Sequence, residues 1–182
     1  TDAFRETTDA PVTGVFVGTN RGELIFRDCQ PDILLIDIYP FNQESALGEF
    51  NMRGFGYNNL DFVDYIRRYT RFKTPGQPLW VLLQTHSTDW PDYKLREPTP
   101  EELRAMNWLA VGEGASGFFY FHWTTAQTWR GLADNPMLLT EVASFSQRIA
   151  GIEPLLLNWH KTDDLFFVAA TDAERLGYTS TL

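Results

Sequence analysis

The sequence predicts an α/β fold built on a parallel sheet, and three observations carry that prediction. Four apolar runs of strand length are nearly continuous rather than alternating: "VTGVFVGTN" (12–20), "DILLIDIYPF" (32–41), "PLWVLLQTH" (78–86) and "GASGFFYFHW" (114–123). Parallel strands covered on both faces read this way. Amphipathic helix signals lie between the later runs, so strands and crossovers alternate and the strands run in one direction. Each run also ends in polar or aromatic groups: Asn20, then Asp37 and Tyr39, then Gln84 and His86, then Tyr120, His122 and Trp123. Parallel strands bring those ends to one side of the sheet, where α/β folds build their sites.

Each element has a local reason. After the first strand, "RGELIFRDCQP" has room for only a turn or two of helix. "NNLDFVDYIRRYTRF" places Phe62, Ile66 and Tyr69 on one apolar stripe behind an Asn59 cap, with Asp64, Arg67 and Arg68 largely off it. "TPEELRAMNWLAVGEG" carries Thr99 as N-cap, Pro100 at the first helical position, Glu102 to complete a capping box, and glycines at 112 and 114 to stop it. Its buried stripe is Leu103, Met106 and Ala110. "NPMLLTEVASFSQRIAG" repeats the pattern with Asn135 as cap, Pro136 next, and Leu138, Val142, Phe145 and Ile149 facing inward. Four parallel βα units fit between about residues 12 and 157, with two open sheet edges and an inner layer expected to hold Phe16, Leu35, Leu82 and Phe118.

Composition excludes several classes of function. With 182 residues, 43% of them hydrophobic, the chain can bury an ordinary core. A net charge of −9 repels phosphate backbones and anionic surfaces, so neither nucleic acid nor a membrane is expected as a partner. No run approaches the roughly 18 apolar residues of a membrane span. "TDAFRETTDAP" lacks a signal-peptide pattern, and the absent initiator Met reads as a segment of a longer chain. Cys29 is the single cysteine, so no disulfide and no cysteine-based metal cluster is expected. No glycine-rich phosphate loop follows any strand, since "GVFVGTNRGEL" lacks the dinucleotide spacing. No cofactor is expected.

"PDILLIDIYPF", "QPLWVLLQTH" and "REPTPEELRAMNWLAVGEGASGFFYFHW" together resemble the last four βα units of a bacterial family of glycoside-hydrolase-like (β/α)8 TIM barrels. The resemblance covers residues 11–157. It implies a half TIM barrel over residues 1–157, the C-terminal half, followed by the start of a small β-domain or tail over 158–182, where "DLFFVAA" reads as a strand. It further implies an oligosaccharide or polysaccharide substrate bound at the carboxyl ends of the strands, a secreted or periplasmic setting, and the missing N-terminal half of the same barrel as partner. In the retaining clan that these barrels resemble, the acid/base follows the fourth strand and a nucleophilic Glu ends the seventh. Here the seventh ends in Gln84, whose neutral amide can neither attack nor carry a proton.

Asp37 is the remaining carboxylate best placed for catalysis, because "LLI" and "IYP" around it promise burial and a raised pKa. The same residue could merely position a loop. Tyr39 shares its face. Asn20, Tyr39, Gln84, His86, Tyr120, His122 and Trp123 are candidate substrate-binding residues, and Trp90 is a further candidate for stacking on a sugar ring. Trp80 and Trp108, within a strand and a helix, read as core. Two histidines without a placed carboxylate do not make a metal site, and none is assigned. Glu101 and Glu102 suit helix capping, whereas Glu44 and Glu49 lie in the loop after the sixth-strand equivalent. Three readings stay open: an enzyme whose other catalytic group lies upstream, a non-catalytic glycan-binding barrel, and a barrel fragment with a structural role only.

Overall fold

The computed structural model describes residues 9–16, 22–50, 61–91 and 93–156. The chain divides into two compact units, Thr1–Ala150 and Gly151–Leu182; of the second, only the helical residues 151–156 are described. In chain order the elements are β1 (Thr13–Phe16), α1 (Gly22–Cys29), β2 (Ile33–Ile38), α2 (Phe62–Thr70), β3 (Leu79–Gln84), β4 (Ser87–Trp90), β5 (Tyr93–Leu95), α3 (Pro100–Gly112), β6 (Ala115–Phe121), β7 (Trp129–Arg130), a 3-10 turn (Leu132–Asp134) and α4 (Pro136–Leu156).

The four expected strands form one sheet in the order β1-β2-β3-β6, every pair parallel, as in part of an α/β barrel. The run expected to reach residue 20 is described as a strand only to Phe16, and Asn20 lies outside the described residues. So do "DLFFVAA", expected as a strand, and the rest of the tail from 157 onward.

The helices begin where capping chemistry starts them. Asp61, rather than Asn59, caps α2, its carboxylate accepting from the Asp64 N–H at 2.8 Å; Asn59 is outside the described residues. The Thr99–Glu102 capping box opens α3 in both directions. The Asn135 side chain accepts from the Leu138 N–H at 3.2 Å and starts α4. On the buried sides stand Phe62, Tyr65, Ile66 and Tyr69 of α2, Leu103, Met106 and Ala110 of α3, and Leu138 and Phe145 of α4. Val142 packs against that core while partly buried.

Strand parity sorts the sheet into two unlike faces. Leu34, Ile36 and Ile38 of β2 and Leu79, Val81 and Leu83 of β3 are fully buried in the core they share with the helices. The alternate set runs across the opposite face in two rows, Val15–Leu35–Trp80–Gly117 and Asp37–Leu82–Phe119. Phe16 and Phe118 therefore do not belong to the inner layer. Phe16 packs on Phe26 and Tyr69, and Phe118 on Phe145, all on the helix side. Val15 and Phe119 take their places. Trp80 also lies on this second face rather than in the helix-side core, and a Cβ at Gly117 would come within 2.3 Å of its indole. Only glycine admits that overlap.

A second, three-stranded antiparallel sheet, β5-β4-β7, comes from segments without a strand pattern of their own. It follows directly from the ends of β3 and β6, and so stands at the carboxyl end of the parallel sheet.

Val15 is 50% and Phe119 43% exposed, and β1 and β6 each pair on one side only among the described residues. Bare apolar rows and open edges favour association. The 182-residue chain alone is expected to self-associate, and Phe119→Ser to shift it toward monomer without lowering its melting temperature. Sedimentation velocity over a concentration series, paired with thermal melts, checks this; a wild-type monomer with a cooperative melt would contradict it.

Candidate functional site

A cleft of about 390 Å³ opens at the carboxyl ends of the parallel strands, lined by Asp37, Tyr39, His86, Thr88, Trp90, Phe121 and Trp129. Asp37 is next to last in β2, Tyr39 follows that strand, and His86 sits between β3 and β4. Thr88 and Trp90 belong to β4, Phe121 ends β6, and Trp129 begins β7. Among the described residues neither Lys nor Arg lines the cleft.

Asp37 is 6% exposed, and its Oδ1 is buried without a hydrogen-bond partner among the described residues. Its register neighbour is Leu82, followed by Phe119, so its row offers no charge to balance a carboxylate. Burial raises its pKa from the ordinary 3.8 to about 7, against smaller downward pulls from the Tyr39 hydroxyl and the Ile38 backbone.

The His86 ring is fixed from several sides. Tyr39 meets it edge-on with centroids 4.9 Å apart, and Phe121 at 5.2 Å. Its Nδ1 lies 2.7 Å from the Phe121 carbonyl, which can only accept, so Nδ1 carries the proton. Burial depresses the pKa to about 4, the Phe121 carbonyl opposing and the neighbouring His122 adding to the fall. The same carbonyl accepts from the Thr85 N–H at 2.9 Å and the Thr85 hydroxyl at 3.1 Å, tying the ends of β3 and β6 together. Trp90 and Trp129 lie 5.5 Å apart, tilted by 43°, and the Trp90 indole N–H donates to the Thr128 hydroxyl at 2.9 Å.

Asp37, Tyr39 and His86 thus meet in one cleft, with Trp90. His122 adjoins it, its ring tilted against Trp129 at 4.2 Å and against His86 at 5.4 Å. Two residues expected there are turned away. Gln84 is fully buried as a framework amide: its oxygen accepts from the Phe41 N–H at 3.0 Å, and its nitrogen reaches the carbonyls of Phe41, His86 and Arg96. Nothing of it is left for a ligand. Tyr120 points to the helix side, donating to the Asn107 side chain at 3.0 Å, and burial pushes its phenol pKa up. Trp123 is 58% exposed and does not line the cleft. Neither do Glu44 and Glu49. Among the described residues no three His, Cys, Asp or Glu side chains gather as a metal site would require.

The loop after β2 is braced from below. Arg96 forms two 2.8 Å bonds to Glu102, donates to the carbonyls of Ser45 and Ala46, and stacks 4.6 Å over Phe41. Glu102 also accepts from the Gly48 N–H at 2.7 Å. Burial would raise the Glu102 pKa, but Arg96 and the Gly48 and Thr99 backbone bonds outweigh it and hold it low. Sequence reading missed Thr88, Phe121 and Trp129; the signals were Phe121's place at the end of the last parallel strand and Trp129's place eight residues beyond it.

A family model described as beta-galactosidase, glycoside hydrolase family 42, matches residues 1–138. No curated protein and no solved structure matches the chain.

Asp37 and His86 pull stability in opposite directions with pH. A raised folded-state pKa means that Asp37 contributes most below 3.8 and that this is lost as pH rises through about 7. The lowered value of His86 gives a contribution that is complete above 6.5 and lost as pH falls through about 4. Asp37→Asn removes only the first. The variant is expected to melt close to wild type at pH 4 and above it by pH 8, a gap of roughly 4 kcal/mol at about 1.4 kcal/mol per tenfold change in proton affinity. Melts from pH 4 to 8 test this; a gap that does not change with pH would refute the buried-carboxyl assignment.

Proposed function

This chain belongs to glycoside hydrolase family 42, the beta-galactosidase family, and on that ground we propose that it binds a galactose-containing glycan in the cleft of Asp37, His86 and Trp90. One observation carries the reading: a buried carboxyl with an unpartnered oxygen lies beside exposed indole at the mouth of a parallel sheet. Trp90, 40% exposed, offers a face to the C–H side of a hexose, and Tyr39 and His86 offer hydrogen bonds to its hydroxyls. Four parallel strands are half of the eight that close a TIM barrel, so residues 1–157 act in this reading as the C-terminal half, with 158–182 beginning a separate β region.

Glycoside hydrolysis takes two carboxyl groups about 5 to 9.5 Å apart, one of them able to hold a proton near neutral pH. Asp37 is the candidate for that proton-holding role. Its partner would come from the other half of the barrel, at the end of the fourth strand. A second reading, a barrel that holds glycan without cleaving it, draws support from β3. There Gln84 is committed to backbone, and Leu82, the residue beside Asp37, is apolar. Neither can serve as a nucleophile.

Titration with galactosides and an aryl β-galactoside assay test both readings. Trp90→Ala is expected to weaken binding by about tenfold, from the loss of one stacking face. Gln84→Glu is expected to yield no turnover and to destabilise the chain by about 2–4 kcal/mol, since a carboxylate oxygen would replace a donor that faces three carbonyls. Hydrolysis by Gln84→Glu would mean that the side chain reaches the cleft.

A further inference from the structure

We infer that His86 is a specificity residue whose Nε2 accepts a hydrogen bond from one hydroxyl of the ligand. The inference rests on the glycan reading of the cleft and goes one step further, to which atom reads the sugar. His86 is only 2% exposed, yet it lines the cleft. Among the described residues its ring bonds to protein at Nδ1, to the Phe121 carbonyl at 2.7 Å, and no hydrogen bond of Nε2 is found there.

A neutral imidazole has one donor and one acceptor, and here the donor is committed. Ring rotation is closed off by Tyr39 at 4.9 Å, Phe121 at 5.2 Å and His122 at 5.4 Å. The tautomer and the direction of the lone pair are therefore set before any ligand arrives. Burial opposes conversion to the imidazolium, which would turn this acceptor into a donor. A ligand hydroxyl that takes the place of water at this acceptor keeps it hydrogen-bonded, where a methyl ether or a deoxy carbon does not. Sites built around such a bond reject the analogue that lacks it more strongly than apolar pockets reject a change of shape.

The test uses the whole 182-residue chain with methyl β-galactoside and its monodeoxy and mono-O-methyl analogues, read by titration calorimetry. Wild type is expected to bind one deoxy analogue, and the matching O-methyl one, about tenfold more weakly than the parent. His86→Asn keeps an amide N–H for the Phe121 carbonyl but has no acceptor at the ε position. It should bind the parent about tenfold more weakly and lose that discrimination, whereas His86→Gln, with its oxygen near the ε position, should regain part of it. Wild-type binding with unchanged selectivity in His86→Asn would overturn the inference and leave the glycan reading standing. No binding of any member by wild type would sink both. Should His86→Asn fail to fold, imidazole ¹⁵N spectra of wild type decide: Nε2 unprotonated and shifted by the parent sugar supports the assignment, while an Nε2-protonated ring overturns it.

Discussion

Both faces of a parallel sheet have to be taken out of water, because βα crossovers supply cover and strands of this composition have no solvent side. In this chain α1 to α4 serve one face, where Leu34, Ile36, Ile38, Leu79, Val81 and Leu83 are sealed. The other face carries the Val15 and Asp37 rows, which are apolar apart from Asp37 itself, and the state of that carboxyl follows from them. Asp37 is the carboxyl in those rows. With Leu82 as its neighbour it has nothing to stabilise a charge, and so it holds its proton into the neutral range.

Above that face, the loops are held by polar groups that do not line the cleft. Gln84 binds the backbone of two separate segments, at Phe41 and at Arg96, and Arg96 in turn grips Glu102 and the loop carbonyls. A buried ion pair of this kind adds little net stability over an apolar contact, but breaking it strands a charge. It therefore fixes one geometry for the loop after β2. The Phe121 carbonyl does the same for β3 and β6 through Thr85 and His86. The cleft walls are thus set by backbone-directed bonds, and Tyr39, His86 and the indoles are left to face inward.

With Asp37 titrating near 7 and His86 near 4, both are uncharged through the mildly acidic range, and no Lys or Arg intrudes among the described residues. A neutral polyol, rather than a charged ligand, matches such a surface. In the proposed reading, a pKa near neutrality also suits Asp37 to give or take a proton.

Local chemistry wrote the helices and the strand positions into the sequence. A capping box at Thr99 and a Pro at position 100 act within one turn, and four apolar runs are long enough to be strands whatever they pair with. Asp37, Tyr39 and His86 were legible for the same reason: parallel strands bring their ends together. Face assignment was not legible, because a continuous run such as "GFFYF" has no alternation to say whether Phe118 or Phe119 meets the helices. The register with Trp80 and Leu82 decides that. Gln84 and Tyr120 were placed in the cleft by position and removed from it by their partners, Phe41 and Arg96 for one and Asn107 for the other. Trp129 entered through a two-residue strand that exists only because β4 stands beside it. Pairings between segments some 40 residues apart leave no mark on either segment alone, so the fold's outline is a local property of this chain while the cleft is a non-local one.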